Sequence, residues 1–106
     1  MKNPLNYLDE AVSRIIDSTH PQRIILFGSA ARGETRPDSD LDLLVIVPDE
    51  TDCVAAAKEA YRRLYGLGCS QDVVVVPESD VTLLGDNPSL VIHTALTEGR
   101  EVYRAA

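Results

Sequence analysis

Apolar residues recur along this chain in two rhythms that divide it into helical and extended stretches. Near the N-terminus Leu5, Leu8, Val12 and Ile15 fall on one helical face. Asn3 and Pro4 precede them as a capping side chain and a first-turn proline, so the pattern predicts a helix that packs on a sheet. After "THPQ", the run "RIILF" (Arg23 to Phe27) is short, rich in β-branched residues and bounded by turn formers, which predicts a buried strand. From Gly28 to Ser39 the chain turns small and polar, with Gly28, Gly33 and Pro37 as punctuation. That stretch predicts a tight turn, one short helical turn and a loop.

"DLDLLVIV" (Asp40 to Val47) is apolar on both faces after its first three residues and predicts a central strand. Within "TDCVAAAKEAYRRLYGLG" the positions Val54, Ala57, Tyr61 and Leu64 recur at helical spacing, and Gly66 and Gly68 supply a stop; Tyr61 and Tyr65 read as packing residues. "QDVVVVP" predicts a third strand ended by its proline. "DNPSLVIHTALTEG" predicts a further helix up to Gly99, and "REVY" a short edge strand. The order is α-β-turn-β-α-β-α. It implies an α/β (α+β) fold in which a small mixed sheet is flanked by helices.

Length and composition narrow the functional classes. A chain of 106 residues, 44% hydrophobic and 25% charged, is expected to form a single domain over residues 1–106 with one core. Its formal charge of −7 argues against a non-specific nucleic-acid binder, which needs a basic face, and favours metal ions or a basic partner. Cys53 and Cys69 lie outside any zinc-like or CxxC spacing and read as reduced thiols of a cytoplasmic protein. No signal-like segment and no apolar run of bilayer length is present, so the chain is expected to be complete and not membrane-bound.

The chemistry concentrates where charge meets the apolar run. Along a strand side chains alternate, so Asp40 and Asp42 point to one face with Cα atoms about 6.5–7 Å apart. Asp72 opens the third strand. A helix of crossover length separates it from the second, which makes those two strands parallel and brings all three acids to one sheet edge. Such a cluster repels itself unless a hard cation with oxygen ligands relieves it, and Mg2+ suits best because it keeps positions for substrate phosphates. Gly28 and Ser29 end the first strand; if that strand runs antiparallel to the second, they lie beside Asp40 and Asp42. There a glycine permits close backbone approach and a helical turn aims N–H groups at an anion. Arg32 and Arg36 lie in the same loop and could contact phosphate oxygens. Together these parts suit phosphoryl or nucleotidyl transfer from a magnesium-bound nucleoside triphosphate.

Other readings of the same residues fit less well. "DSDLD" lacks the glycine of a calcium loop, having Leu43 there. The hydrophobic run follows the aspartates, whereas a haloacid-dehalogenase-like DxD has it before them. "GSAARG" lacks a P-loop lysine and the dinucleotide spacing. His20 and His93 are isolated and read as capping or partly buried residues. Ser29 has no histidine or lysine placed to activate it as a nucleophile.

Gly28-Ser29, ten residues, then Asp40-Leu41-Asp42 resembles the signature of the polymerase-beta-like nucleotidyltransferase superfamily, and "GSAARGETRPDSDLDLLV" is similar to its minimal nucleotidyltransferase branch. The resemblance covers nearly the whole chain. It implies that Gly28 and Ser29 hold the triphosphate of ATP, that Asp40 and Asp42 bind Mg2+, and that Asp72 completes the site and is available as a base. It also implies a partner: proteins of this branch are often antitoxins to HEPN-type toxins, and some transfer AMP to a tyrosine of the toxin. Larger relatives carry a helical lobe for the acceptor, and none is legible here, which favours a protein acceptor. Two alternatives stand beside this reading: an antitoxin that neutralises its partner by binding alone, and a small-molecule, aminoglycoside-like nucleotidyltransferase.

Overall fold

A computed structural model describes residues 3–106. Asn3 caps a 3-10 turn, Pro4–Tyr7, by accepting the Leu5 N–H at 2.9 Å, and helix α1 (Leu8–Thr19) follows. The elements then run β1 (Arg23–Phe27), α2 (Gly28–Ala31), β2 (Leu41–Val47), α3 (Cys53–Leu64), β3 (Gln71–Pro77), α4 (Glu78–Leu84), α5 (Val91–Glu98) and β4 (Arg100–Arg104). The four strands form one sheet in the order β3-β2-β1-β4. β1 is antiparallel to both β2 and β4, and β2 is parallel to β3, so the sheet is mixed as the spacing of elements predicts.

β2 lies inside the sheet and is buried along nearly its whole length, which explains why it is apolar on both faces. Its odd-numbered residues Leu41, Leu43, Val45 and Val47 join Ile24 and Leu26 of β1 under α1 and α3. Its even-numbered residues Leu44 and Ile46 join Ile25, Phe27, Val76, Ile92 and Ala95 on the opposite face, under α5. Gly99 ends α5 where a side chain would meet the Ile25 methyl group and the Leu26 carbonyl, so the helix leaves β1 at close range. Among the described residues no helix is long and apolar enough to cross a membrane.

Three expectations change. Of the α3 face marked by Val54, Ala57, Tyr61 and Leu64, Leu64 is buried as expected, but Val54 and Tyr61 are 66% and 42% exposed and Ala60 is buried in their place, because its small side chain lets the helix lie close to the sheet and to α1. Where the pattern predicts no element between Pro77 and Asp86, the chain passes directly into α4. That helix is short and contains no buried residue, and Asp49 caps it by accepting the Ser79 N–H at 2.8 Å from thirty positions away in sequence. Asp86 to Ser89 form a turn rather than the first turn of α5, with the Leu90 N–H donating to the Asn87 carbonyl at 3.1 Å and the Ser89 N–H to the Asn87 side chain at 3.0 Å.

The corrected face of α3 is testable by denaturant unfolding. Leu43→Ala should cost about 2–5 kcal/mol, since it empties a fully buried site between the sheet and its helices. Val54→Ala should stay within about 0.5 kcal/mol of the parent protein, because the side chain lies in solvent.

Candidate active site

The C-terminal end of β1 meets the N-terminal end of β2, and Phe27 pairs with Asp42 in the antiparallel register. One residue later the chain leaves the sheet. Gly28 adopts φ +72°, a left-handed conformation that other residues reach only at a cost, and opens α2. A Cβ on Gly28 would collide with Oδ2 of Asp42 and lie 3.0 Å from its Cγ. The backbone of Gly28 therefore rests against the Asp42 carboxylate.

α2 is a single turn. Its carbonyls are used as the chain turns away, with Arg32 N–H donating to Gly28, Gly33 N–H to Ala30, and Glu34 N–H to Ser29 at 2.9 Å. Helix geometry gives the first N–H groups of such a turn no intrahelical acceptor, and here they belong to Gly28, Ser29 and Ala30. Ala30 is buried and anchors the turn; Ser29 is half-buried. The following loop is tied down by Asn3, whose side-chain amide donates to the Thr35 hydroxyl at 2.7 Å, and by Ser39, whose hydroxyl accepts the Arg36 N–H at 2.9 Å.

On the other side of β2, Asp72 of β3 is the register partner of Asp42. Adjacent strands lie about 4.8 Å apart and paired residues share a face, so both carboxylates belong to the same side of the sheet as Leu44, Ile46 and Val76. Asp42 is half-buried, while Asp72 and Asp40 are exposed. Asp40 lies just outside β2, held near the edge by the Leu41 N–H donating to the Ser70 carbonyl at 3.0 Å. Burial pushes the Asp42 carboxyl above the usual carboxylate range; the negative charges of Asp72 and then Asp40 push it further, and Arg32 pulls it back.

The structure thus brings Gly28, Ser29, Asp40, Asp42 and Asp72 to one end of three adjacent strands, with Arg32 close enough to act on Asp42. Arg32 is partly committed elsewhere, its Nε lying 3.3 Å from Glu34 Oε1. Arg36 is an exposed loop residue. His20 ends α1 in a left-handed conformation, and His93 bonds through Nδ1 to the Gly85 carbonyl at 3.0 Å, so both histidines have structural places away from the acids. Cys53 and Cys69 are free, and burial pushes both thiols up. Tyr61, expected to pack, lies along the groove between α3 and β3 and also extends its hydroxyl to the backbone of Val73, next to Asp72, whereas Tyr65, expected to pack as well, is 89% exposed. Spacing alone could not reveal that contact, because it joins α3 to a strand edge.

Among the described residues no three His, Cys, Asp or Glu side chains close into a ligand cage. What the edge offers is an all-oxygen, partly desolvated set of carboxylates that repel one another. Such a set suits a hard divalent cation held by one or two carboxylates that takes its other ligands from water and phosphate, as Mg2+ does, better than a resident ion in an all-protein cage.

A mixed sheet flanked by helices, with a glycine turn and carboxylates at one edge, defines the class as an α/β domain. Residues 6–95 match the family model of the nucleotidyltransferase domain, and the chain belongs to that family. No curated protein matches it in sequence. Among solved structures it resembles a toxin-antitoxin complex crystallised with AMP-PNP, with TM-score 0.66 and 22% identity over 92% of this chain and 73% of the other. It also resembles a chain of the tri-AMPylated Shewanella oneidensis HEPN toxin in complex with an MNT antitoxin, at TM-score 0.62 and 19% identity over 96% and 73% of the two chains. A third, the toxin-antitoxin MntA-HepT, gives TM-score 0.62 and 20% identity over 95% and 73%. At these identities the likeness is one of fold.

Two outcomes follow from the contact between Gly28 and Asp42. Gly28→Ala should destabilise the protein by about 1–3 kcal/mol through its positive φ and the collision. Adding Asp42→Ala should return part of that loss, a coupling of about 0.5–3 kcal/mol in a double-mutant cycle, because the Asp42 Cβ itself lies at an ordinary 3.4 Å. The second outcome concerns charge. A carboxyl whose pKa rises on folding favours the native state while protonated, and this advantage fades as pH climbs from about 4 through the folded pKa. In metal-free buffer Asp42→Asn should therefore be more stable than the parent at pH 7, with the difference shrinking toward pH 3; equal or lower stability at pH 7 would contradict the electrostatic reading.

Proposed function

We propose that this chain, acting as a single domain over residues 1–106, is a Mg2+-dependent nucleotidyltransferase that moves AMP from ATP to a tyrosine hydroxyl of a HEPN-type toxin and so serves as its cytoplasmic antitoxin. The observation that carries the proposal is the position of Asp42, packed against the Gly28 backbone on one side and paired with Asp72 on the other. A phosphate-facing turn and a carboxylate edge are thereby adjacent, as transfer from a nucleoside triphosphate requires. Structures of similar fold include an AMP-PNP complex and an AMPylated toxin held by its antitoxin, which supports the choice of nucleotide and acceptor. The charge of −7 supports a protein acceptor over a nucleic acid.

Each residue then has a chemical task. The N–H groups at Gly28 and Ser29, with the Ser29 hydroxyl, receive the β- and γ-phosphates, and Arg32 adds a guanidinium toward their oxygens. Asp40 and Asp42 would hold Mg2+, with Asp72 beside them to complete the site, and the ion when bound would neutralise charge on the triphosphate. The acceptor oxygen forms a bond to the α-phosphorus and the bond to the bridging oxygen breaks, releasing pyrophosphate. The proton of the acceptor hydroxyl passes to Asp72, which is exposed and so open to a group delivered by another polypeptide. Asp42, half-buried and repelled by its neighbours, is the carboxylate most relieved by a cation.

A second reading, neutralisation by binding alone, draws on the pairing of Arg32 with Glu34, which engages the guanidinium away from a phosphate. One experiment separates the two. With Mg2+ and α-labelled ATP, a HEPN-type partner co-purified with the chain should become labelled, and Asp42→Asn should lower labelling by at least about a hundredfold, since the ion supplies several kcal/mol of charge stabilisation. Labelling that is unchanged by Asp42→Asn would overturn the mechanism. No labelling by either form, with the toxin still bound and inhibited, would favour the binding-only antitoxin.

A further inference from the structure

β3 is an edge strand, paired with β2 on one side only, and it carries Asp72 second from its start. The end of an edge strand has few restraints, because half of its backbone groups face outward without a neighbouring strand to bind. Asp72 nevertheless has to stay level with Asp42 if the two are to act on one substrate. The outward side of β3 at this point is occupied by a side chain. The Val73 N–H donates to the Tyr61 hydroxyl oxygen at 2.8 Å, and the Tyr61 O–H in turn reaches the Val73 carbonyl at 3.4 Å. One hydroxyl from α3 thus meets both outward backbone groups of the residue that follows Asp72, as a residue of a further strand would.

We infer that Tyr61 is a positioning residue, holding the start of β3 so that Asp72 stays opposite Asp42; the inference rests on the proposed role of Asp72 at the acceptor side of the site. The placement of Tyr61 gives this hydroxyl no other evident duty. Its ring lies in a shallow groove between α3 and β3 with Val54, Ala57, Val73 and Val75, and it is 42% exposed, so it is not a core side chain. The ladder from Leu41↔Gln71 to Val47↔Pro77 holds the inward side of β3, and beyond Leu44↔Val74 packing on both faces adds to it, so that only the outward side of the strand's start relies on the hydroxyl. Loss of the hydroxyl alone should therefore loosen the strand where it begins and leave the fold intact. The effect belongs in turnover, because the Gly28-Ser29 turn that faces the triphosphate is on the far side of β2.

The test is Tyr61→Phe in the full chain, which keeps the ring and removes one oxygen. Amide hydrogen exchange followed by NMR should speed up at Val73 and stay unchanged along β2. In Mg2+-ATP transfer to the partner, kcat should fall between about 10- and 100-fold, the range a small misplacement of a reacting group produces. KM for ATP should remain within about twofold, the pattern of a lost transition-state contact rather than lost ground-state binding. Unchanged exchange at Val73 would overturn the inference, as would faster exchange with parental kcat, and in either case an active parent protein leaves the proposed function standing. A parent protein that transfers nothing overturns the role of Asp72 itself, and the inference falls with it.

Discussion

The candidate site depends on a contact that leaves room for nothing more: the backbone of Gly28 against the carboxylate of Asp42. It arises from two local facts. The antiparallel register sets Phe27 opposite Asp42, and the residue after Phe27 turns out of the sheet through a positive φ that glycine tolerates. A side chain at that position would push the turn away from the strand and separate the amide-bearing α2 from the acids. The adjacency of an anion-receiving backbone and a cation-receiving carboxylate is thus a steric result, and the register of the sheet produces it.

That arrangement has an energetic cost, and the sheet is organised to carry it. The Asp42 carboxylate is partly desolvated and faces two like charges, with only Arg32 acting in its favour. What holds it there is β2, whose remaining residues are buried against two separate apolar layers, one under α1 and α3 and one under α5. The strand is charged at one end and apolar along the rest. A strand anchored on one face only would yield more easily to the repulsion, because shifting outward would hydrate the carboxylate at the expense of fewer contacts.

Much of this was legible in the residues, for reasons that also explain what was not. Strands β1, β2 and β3 announce themselves because short β-branched runs are bounded by glycine, proline and polar turns, and their mutual directions follow from what separates them. Asp42 and Asp72 could be placed at one edge from alternation and crossover length, whereas Gly28 joined them only on the condition, met in the structure, that β1 runs antiparallel to β2. The buried face of α3 could not, because alanine and valine both count as apolar and the choice between them depends on how closely the helix approaches the sheet. α4 escaped for a similar reason: its cap, Asp49, is remote in sequence, and its own residues bury nothing. The Tyr61 hydroxyl was out of reach of any periodicity, since its partner is a backbone and not a side chain.

The loop from Gly33 to Asp40 lies between two fixed points, the single-turn α2 and the first pair of β2, and is tethered by Asn3 and Ser39 side chains rather than by a ladder. Its length is therefore not set by any pairing of strands. A chain with residues added or removed there would keep the same edge chemistry, while a single-residue slip inside β2 would exchange its faces and send the aspartate into the core. The register of β2, and not the span of the loop before it, is what fixes the aspartates at the edge.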